Sequence, residues 1–113
     1  KVPVFFIEKN NKDLINKIKS EISTALFPEL KSKISSPALV TALSTRLEKA
    51  ISIDNGIMHM IALSKIPMIV LFGPTNSKKF APQNKNVKIL DSKKIHQTTN
   101  IDNITVDEVY NLI

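Results

Sequence analysis

The chain has 113 residues, a formal net charge of +6 at pH 7 and no cysteine. This length fits one domain with a moderate core, and the lack of cysteine excludes disulfides and thiolate metal sites, which suits the cytoplasm. No apolar run approaches the ~18 residues that a membrane helix requires, and no signal peptide is visible, so we expect a soluble protein. Because the chain starts at Lys1 and enters an apolar stretch at once, we expect a piece of a longer protein.

The positive charge is almost entirely lysine, because Arg46 is the only arginine. Sequence-specific readout of bases favours the fork of arginine donors, and the chain shows no basic helix and no RNA-binding motif. Nucleic acid is therefore disfavoured as a partner. Two other interpretations of the charge stay open: a cationic surface lying on anionic lipid, and a plain solvated surface.

The first part of the chain predicts a strand and a long helix. The apolar run from Val2 to Ile7 is typical of a strand. A helix should start at Asn10 or Asn11, either of which can cap it. It should continue to about Leu26, before Pro28. Its apolar stripe is predicted to contain Leu14, Ile15, Ile18, Ile22 and Leu26.

The next segment predicts a short strand and a second helix. The strand should run from Lys33 to Ser35. Ser36 then caps a helix that begins with Pro37, since proline is favoured at the first helical position. The buried face of this helix is expected to contain Leu39, Val40, Leu43 and Leu47.

Two continuous apolar runs in the middle of the chain predict buried strands, one from Ala50 to Ile53 and one from Met68 to Phe72. Continuous runs of this length, rather than alternating ones, suit strands that are covered on both faces of a parallel sheet. The segment from Ile57 to Leu63 is apolar almost all round, which predicts a helix that is covered on most sides. A strand, a turn, a helix and a second strand therefore form one crossover unit.

The turn within this unit, Asp54-Asn55-Gly56, is a candidate anion site. It follows the carboxyl end of the first strand, where ligands bind in open parallel sheets. Asp54 can cap the helix, and Gly56 lets another group approach the backbone closely. Free N–H groups and the helix dipole favour a phosphate there. His59 follows about one helical turn of ~3.6 residues later, so it can face the same mouth. Alone, the tripeptide is a common turn signal, and His59 alone is more often a core residue.

The last third of the chain predicts a surface loop, a strand and a terminal helix. We expect a long loop through Asn84, a strand from Asn86 to Leu90, and irregular structure from Asp91 to Asn103, with His96 as a surface residue. Thr105 and Glu108 form a capping box that predicts a helix from Thr105 to the end. Ile104 and Val109 are spaced as a hydrophobic staple.

This alternation of strands and helices predicts an α/β fold, a three-layer Rossmann-like domain whose strands share one largely parallel sheet. The motif supports a more specific assignment. Asp54, Gly56 and His59, followed by the run Ile66-Pro67-Met68-Ile69-Val70-Leu71-Phe72-Gly73-Pro74-Thr75, resemble the heptosyltransferase family (glycosyltransferase family 9) of lipopolysaccharide core biosynthesis. The family usually has Thr at the position of Asn55.

The resemblance implies a place in a larger architecture. Heptosyltransferases have the GT-B arrangement of two Rossmann-like domains, and this motif belongs to the carboxyl-terminal, donor-binding one. Residues 1–113 would then be the nucleotide-sugar binding domain, and the amino-terminal acceptor domain would be absent from this chain.

The resemblance also implies a reaction: transfer of a sugar, heptose, from an ADP-activated donor to a lipid-linked saccharide acceptor, in the cytoplasm or at the inner membrane. The implied donor-binding residues are Asp54, Asn55, Gly56 and His59, with no metal and no cofactor. The general base would come from the amino-terminal domain, so no catalytic residue is expected here and the fragment should be inactive. Two alternatives stay open, namely a non-catalytic nucleotide-binding or interaction module, and another GT-B enzyme such as a nucleotide-sugar epimerase.

Overall fold

The computed structural model describes residues 2–7, 10–31, 37–82 and 84–113. The predicted strand from Lys33 to Ser35 and the predicted cap at Ser36 lie outside these ranges. The chain divides into two compact units, Lys1–Leu39 and Val40–Ile113. Helix α3 (Pro37–Ser44) crosses the boundary between them in the sequence. Among the described residues, no helix is both long and apolar enough to cross a membrane.

The first unit holds two helices, α1 (Lys12–Glu21) and α2 (Pro28–Lys31). Its extended amino-terminal segment meets Leu26 in an isolated parallel bridge to Val4. The Phe5 N–H donates to the Leu26 carbonyl over 2.9 Å, and the rings of Phe5 and Phe27 stack with centroids 5.7 Å apart. Ile15 and Phe27 are buried, so the core of this unit forms where α1 meets the bridged segments.

The predicted first helix is too long, because α1 ends at Glu21 and not near Leu26. Ser and Thr compete with helical hydrogen bonds through their own side chains, and residues 23 and 24 form a turn. Leu26 must also be extended to bridge Val4. Within the predicted stripe Ile15 is buried, whereas Leu14, Ile22 and Leu26 are exposed. Asn11 holds the cap position without a capping hydrogen bond from its side chain.

The second unit contains a three-stranded parallel sheet in the order β1 (Ala50–Ile53), β2 (Met68–Phe72), β3 (Val87–Asp91). This confirms the predicted α/β class and parallel pairing for three of the four strands. The prediction was wrong for the remaining strand: the segment from Val2 to Ile7 forms the isolated bridge to Leu26 and is not a strand of this sheet.

Burial differs between the strands in a way that follows their positions. Central β2 is covered on both faces, and Val70 and Phe72 are completely buried. In β1 the side chains alternate, so Ile51 and Ile53 are each about half exposed. The prediction that both apolar runs are buried on both faces is therefore right for β2 and wrong for β1. Strand β1 lies at an edge of the three-stranded sheet, where it has fewer neighbours.

The helices of the second unit are short: α4 (Gly56–Ala62), α5 (Ser77–Phe80), α6 (Ser92–Ile95) and α7 (Val106–Tyr110), with a 3₁₀ turn at Ile101–Asn103. Helices α5 and α6 replace two stretches that were predicted to be irregular. In α4, Met58 and Ile61 are buried. Leu63, which caps its end, is 71% exposed, so the prediction of cover on most sides fails at that residue.

Helix α7 is held at its start. The predicted capping box is confirmed, with Thr105 and Glu108 bonded reciprocally. His96 is half-buried, and its Nε2 lies 2.7 Å from Glu108 Oε1, so His96 is paired rather than a plain surface residue. Beyond the end of the helix, Lys49 Nζ donates to the Ile113 carbonyl over 2.8 Å.

The Glu108 carboxylate predicts an acid-sensitive contribution to stability. Burial raises the pKa of Glu108, but hydrogen bonds from His96 and Thr105 lower it more, so the pKa lies below the ordinary value of 4.5. A carboxyl whose pKa is depressed by folding stabilises the fold above its unfolded-state pKa, and this contribution disappears as the pH falls through the folded-state pKa. In the full-length protein, Glu108→Gln should therefore lower the melting temperature at neutral pH and reduce its fall below pH 4.5. Identical acid profiles for the two proteins would contradict this role.

Candidate functional site

Three chain turns meet at one edge of the sheet. Ile53 lies opposite Leu71, and Phe72 lies opposite Asp91. Because the strands are parallel, the turn at residues 54–56 and the loop at residues 73–75 leave the same edge, one strand spacing of ~4.8 Å apart. The start of α6 leaves the same edge beyond them. Ligands bind at such carboxyl edges in open α/β sheets, and the sequence-predicted site residues lie here.

The turn at 54–56 is fixed by Asn55 rather than by Asp54. Asn55 is the N-cap of α4, and its Oδ1 accepts a hydrogen bond of 3.1 Å from the Met58 N–H. The prediction that Asp54 caps was wrong, because the helix starts at Gly56 and its cap is the residue immediately before. Asp54 is half-buried, and its carboxylate has no hydrogen-bond partner within the described part of the chain. It is therefore available to a ligand.

Gly56 stands in open space. Its backbone φ lies outside the left-handed region, and a Cβ built on it meets no atom within 4 Å. The described part of the protein therefore gives no packing or conformational reason for glycine here. A side chain would, however, fill the space directly above the start of α4, where an approaching ligand would need access to backbone N–H groups.

His59 faces solvent in the last turn of α4. It follows Met58, which is completely buried, so the helix turns Met58 toward the core and His59 away from it. The His59 ring has no hydrogen-bond partner among the described residues. The alternative that His59 is a core histidine is therefore wrong. Asp54, Asn55, Gly56 and His59 all fall within residues 54–59, and His59 lies in the last turn of α4.

The loop at 73–75 is packed and anchored. A Cβ on Gly73 would lie 2.7 Å from the Thr99 carbonyl oxygen, so only glycine fits. Further along the loop, Lys93 Nζ donates to the Pro74 carbonyl over 3.1 Å and to the Thr75 carbonyl over 2.7 Å. The two loops at this edge thus differ. The turn at 54–56 has open space beside Gly56, whereas the loop at 73–75 is packed at Gly73 against Thr99 and Ile101.

A buried polar contact joins the helices beyond the loop. Ser77 Oγ donates to Asp91 Oδ2 over 2.7 Å, and both residues are at least 96% buried. The other oxygen of Asp91 accepts from the Lys93 N–H and caps α6. No pattern in the sequence predicted a role for Asp91, Ser77 or Lys93. One signal was available, because an Asp directly after an apolar run can mark the start of a helix. A four-residue helix such as α6 is too short to show the helical periodicity that would have supported that signal.

A cavity of about 220 Å³ is lined by Ser77, Lys78, Ile89, Asp91, Lys94 and Ile95. It contains none of the four predicted donor-binding residues. Ligand pockets usually occupy ~300–1,000 Å³, so this cavity is small for a nucleotide sugar. Within the described residues, no group of three or more His, Cys, Asp or Glu side chains could hold a metal ion.

Comparison with solved structures supports the fold class. The crystal structure of a glycosyl transferase family 9 protein from Veillonella parvula DSM 2008 matches with a TM-score of 0.76 and 18% sequence identity, over 98% of this chain and 35% of that one. This chain thus spans about a third of the length of that protein, and the shared fold is that of GT-B glycosyltransferases. A comparison with curated protein sequences finds no match.

The sequence itself assigns the family. The model of glycosyltransferase family 9 (heptosyltransferase) matches residues 4–109. The chain therefore belongs to glycosyltransferase family 9, as the motif of Asp54, Gly56 and His59 predicted.

Substitution by alanine should destabilise the protein at one of its two glycines and have little effect at the other. Gly73→Ala places a methyl group against the Thr99 carbonyl, and such overpacking costs about 1–3 kcal/mol. Gly56→Ala meets open space and should change the free energy of unfolding by less than about 0.5 kcal/mol. Thermal unfolding of both variants in the full-length protein measures the difference. Equal destabilisation by the two substitutions would contradict the described packing.

Proposed function

We propose that the full-length protein is a glycosyltransferase that moves a sugar from a nucleotide diphosphate sugar to a saccharide acceptor, and that residues 1–113 are its donor-binding domain. Membership of glycosyltransferase family 9 supports this reaction class. The observation that carries the placement of the donor is the open turn at 54–56, where Asp54 and His59 have no protein partner in the described residues and Gly56 leaves the backbone accessible.

The proposed donor is ADP-heptose and the proposed acceptor is a lipid-linked saccharide of the lipopolysaccharide core. Glycosyltransferase family 9 is a family of heptosyltransferases, which supports heptose as the transferred sugar. ADP is proposed as the nucleotide because the motif of Asp54, Gly56 and His59 resembles that of heptosyltransferases. The proposed setting is the cytoplasm, including the surface of the inner membrane, where a net charge of +6 favours contact with anionic lipid.

In this proposal the turn stabilises the departing diphosphate. Negative charge grows on the diphosphate as the bond to the sugar breaks, and hydrogen-bond donors already in position stabilise that charge without reorganising. The N–H groups of Asn55 and Gly56 supply such donors at the start of α4, where helices leave N–H groups unpaired. Asn55 keeps the turn in shape through its bond to the Met58 N–H.

Two side chains complete the proposed donor site. His59, which follows Gly56 by about one helical turn of ~3.6 residues, donates a hydrogen bond to the diphosphate. Asp54 accepts a hydrogen bond from a sugar hydroxyl, a role that its carboxylate can fill because Asn55 and not Asp54 caps the helix. Both residues lie at the carboxyl end of β1, so one short segment contacts both parts of the donor.

The general base lies elsewhere in this proposal. A base must stand within about 3 Å of the acceptor hydroxyl whose proton it takes. We place that carboxylate, and most of the acceptor site, in an amino-terminal domain of the full-length protein. The similar Veillonella parvula structure is about three times as long as the part that this chain matches, which supports a further domain. The isolated fragment should then catalyse no transfer.

His59→Gln tests the proposal, with the second histidine of the chain as its control. In the full-length protein, His59→Gln should lower kcat/KM by about 10- to 100-fold, because a hydrogen bond to a charged group is worth ~1.5–3 kcal/mol. The melting temperature should stay the same, since the His59 ring is exposed. His96→Gln should do the reverse, because His96 bonds to Glu108: the melting temperature falls and kcat/KM is unchanged.

The paired measurements separate the possible outcomes. A His59→Gln variant that loses melting temperature but keeps its activity would refute the role of His59 in donor binding. A full-length protein that binds ADP and transfers no sugar would refute the transferase and support the non-catalytic nucleotide-binding module.

A further inference from the structure

The loop at 73–75 borders the proposed donor site without being part of the turn that defines it. It leaves the sheet one strand away from the turn at 54–56, because β1 and β2 pair in parallel with Ile53 opposite Leu71. Thr75 is half-buried, and its hydroxyl has no hydrogen-bond partner in the described part of the protein. The loop is thus placed to form a second wall beside the turn.

Both ends of this loop are fixed by the protein itself. At its start, the close approach of Thr99 and Ile101 to Gly73 leaves no room for movement toward them. At its far end, α5 begins with Ser77, whose hydroxyl donates to the buried Asp91 carboxylate. Three residues lie between these two contacts, and Asn76 is held as the N-cap of α5, where its Oδ1 accepts from the Lys78 N–H. Pro74 and Thr75 are left to be positioned by something else.

Lys93 supplies that restraint. Its ammonium group donates to the carbonyls of Pro74 and Thr75, at 3.1 and 2.7 Å. Hydrogen bonds from an ionised donor are shorter and stronger than neutral ones. The backbone of Lys93 is itself fixed, because its N–H donates to Asp91 Oδ1 at the start of α6. The carboxyl end of β3 therefore controls the loop that follows β2.

The neighbouring residue differs from Lys93. Lys94 carries the same charge and is exposed, and its side chain makes no hydrogen bond to another described residue. It lines the cavity beside α5 and α6 rather than the loop. A general effect of positive charge on an anionic donor would therefore be similar for both lysines, whereas positioning of the loop would depend on Lys93 alone.

We propose that Lys93 is a positioning residue for the nucleotide-sugar donor, because it holds the 73–75 loop as the second wall of the donor site. The inference rests on the proposed function. Lys93 acts through the loop and does not contact the donor itself. Its loss should weaken donor binding while the chemical step, which depends on the turn at 54–56 and on the acceptor, proceeds at its usual rate.

Kinetics of the full-length protein test this inference. Lys93→Met removes the ammonium group and keeps the length of the side chain. It should raise the KM for the nucleotide-sugar donor about tenfold, because binding must then order a loop that Lys93 no longer holds. The kcat, the KM for the acceptor and the melting temperature should change little. Lys93→Arg, which restores a positively charged group that can donate hydrogen bonds, should recover most of the affinity for the nucleotide sugar. Lys94→Met, with the same loss of charge, should leave the donor KM within about twofold of the wild type.

Each other outcome refutes the inference. Equal increases in donor KM for Lys93→Met and Lys94→Met would show a general charge effect. A lower melting temperature with an unchanged donor KM would show that Lys93 has a structural role alone. If the Lys93→Met variant unfolds at the assay temperature, the donor KM and melting temperature of Lys93→Gln are compared instead. An active wild type with an unchanged Lys93→Met variant overturns this inference only. A wild type that binds no nucleotide diphosphate overturns the proposed function as well.

Discussion

Parallel pairing of β1, β2 and β3 is the constraint on which the site depends. It brings the carboxyl ends of all three strands to one edge of the sheet, so that residues far apart in the sequence meet there. The central strand makes this possible, because β2 is buried on both faces and Val70 and Phe72 are completely inaccessible. An edge with three chain turns can then carry a site whose parts come from each of them.

The three turns have different physical roles. The turn after β1 is open: Asn55 satisfies the Met58 N–H, and the side chains of Asp54 and His59 have no hydrogen-bond partner among the described residues. The loop after β2 is closed around Gly73. Asp91, at the end of β3, connects the starts of α5 and α6 through one buried carboxylate. Asn55 also accounts for the departure from the family pattern, because Asn and Thr are both favoured N-cap residues and either can hold this turn.

Local signals in the sequence predicted those parts of the fold that depend on local interactions. The continuous apolar runs located β1 and β2, and the spacing of Thr105 and Glu108 located the capping box of α7. The extent of α1 was predicted wrongly, because pairing of Leu26 with Val4 overrides the helical pattern.

The parts of the site that were missed depend on long-range contacts. The hydrogen bond from Ser77 to Asp91 joins residues fourteen positions apart, and the bonds from Lys93 reach back across a strand to Pro74 and Thr75. No periodic pattern encodes such pairs. The choice of Asn55 over Asp54 as the cap was also ambiguous, because both residue types cap helices and a shift of the helix start by one residue decides between them.

A crystal structure of the full-length protein with ADP bound tests the proposed donor site most directly. The diphosphate should lie over Gly56, with its oxygens within about 3 Å of backbone N–H groups at the start of α4 and of the His59 ring. A diphosphate bound away from the turn at 54–56, in the cavity beside α5 and α6 or elsewhere, would contradict it.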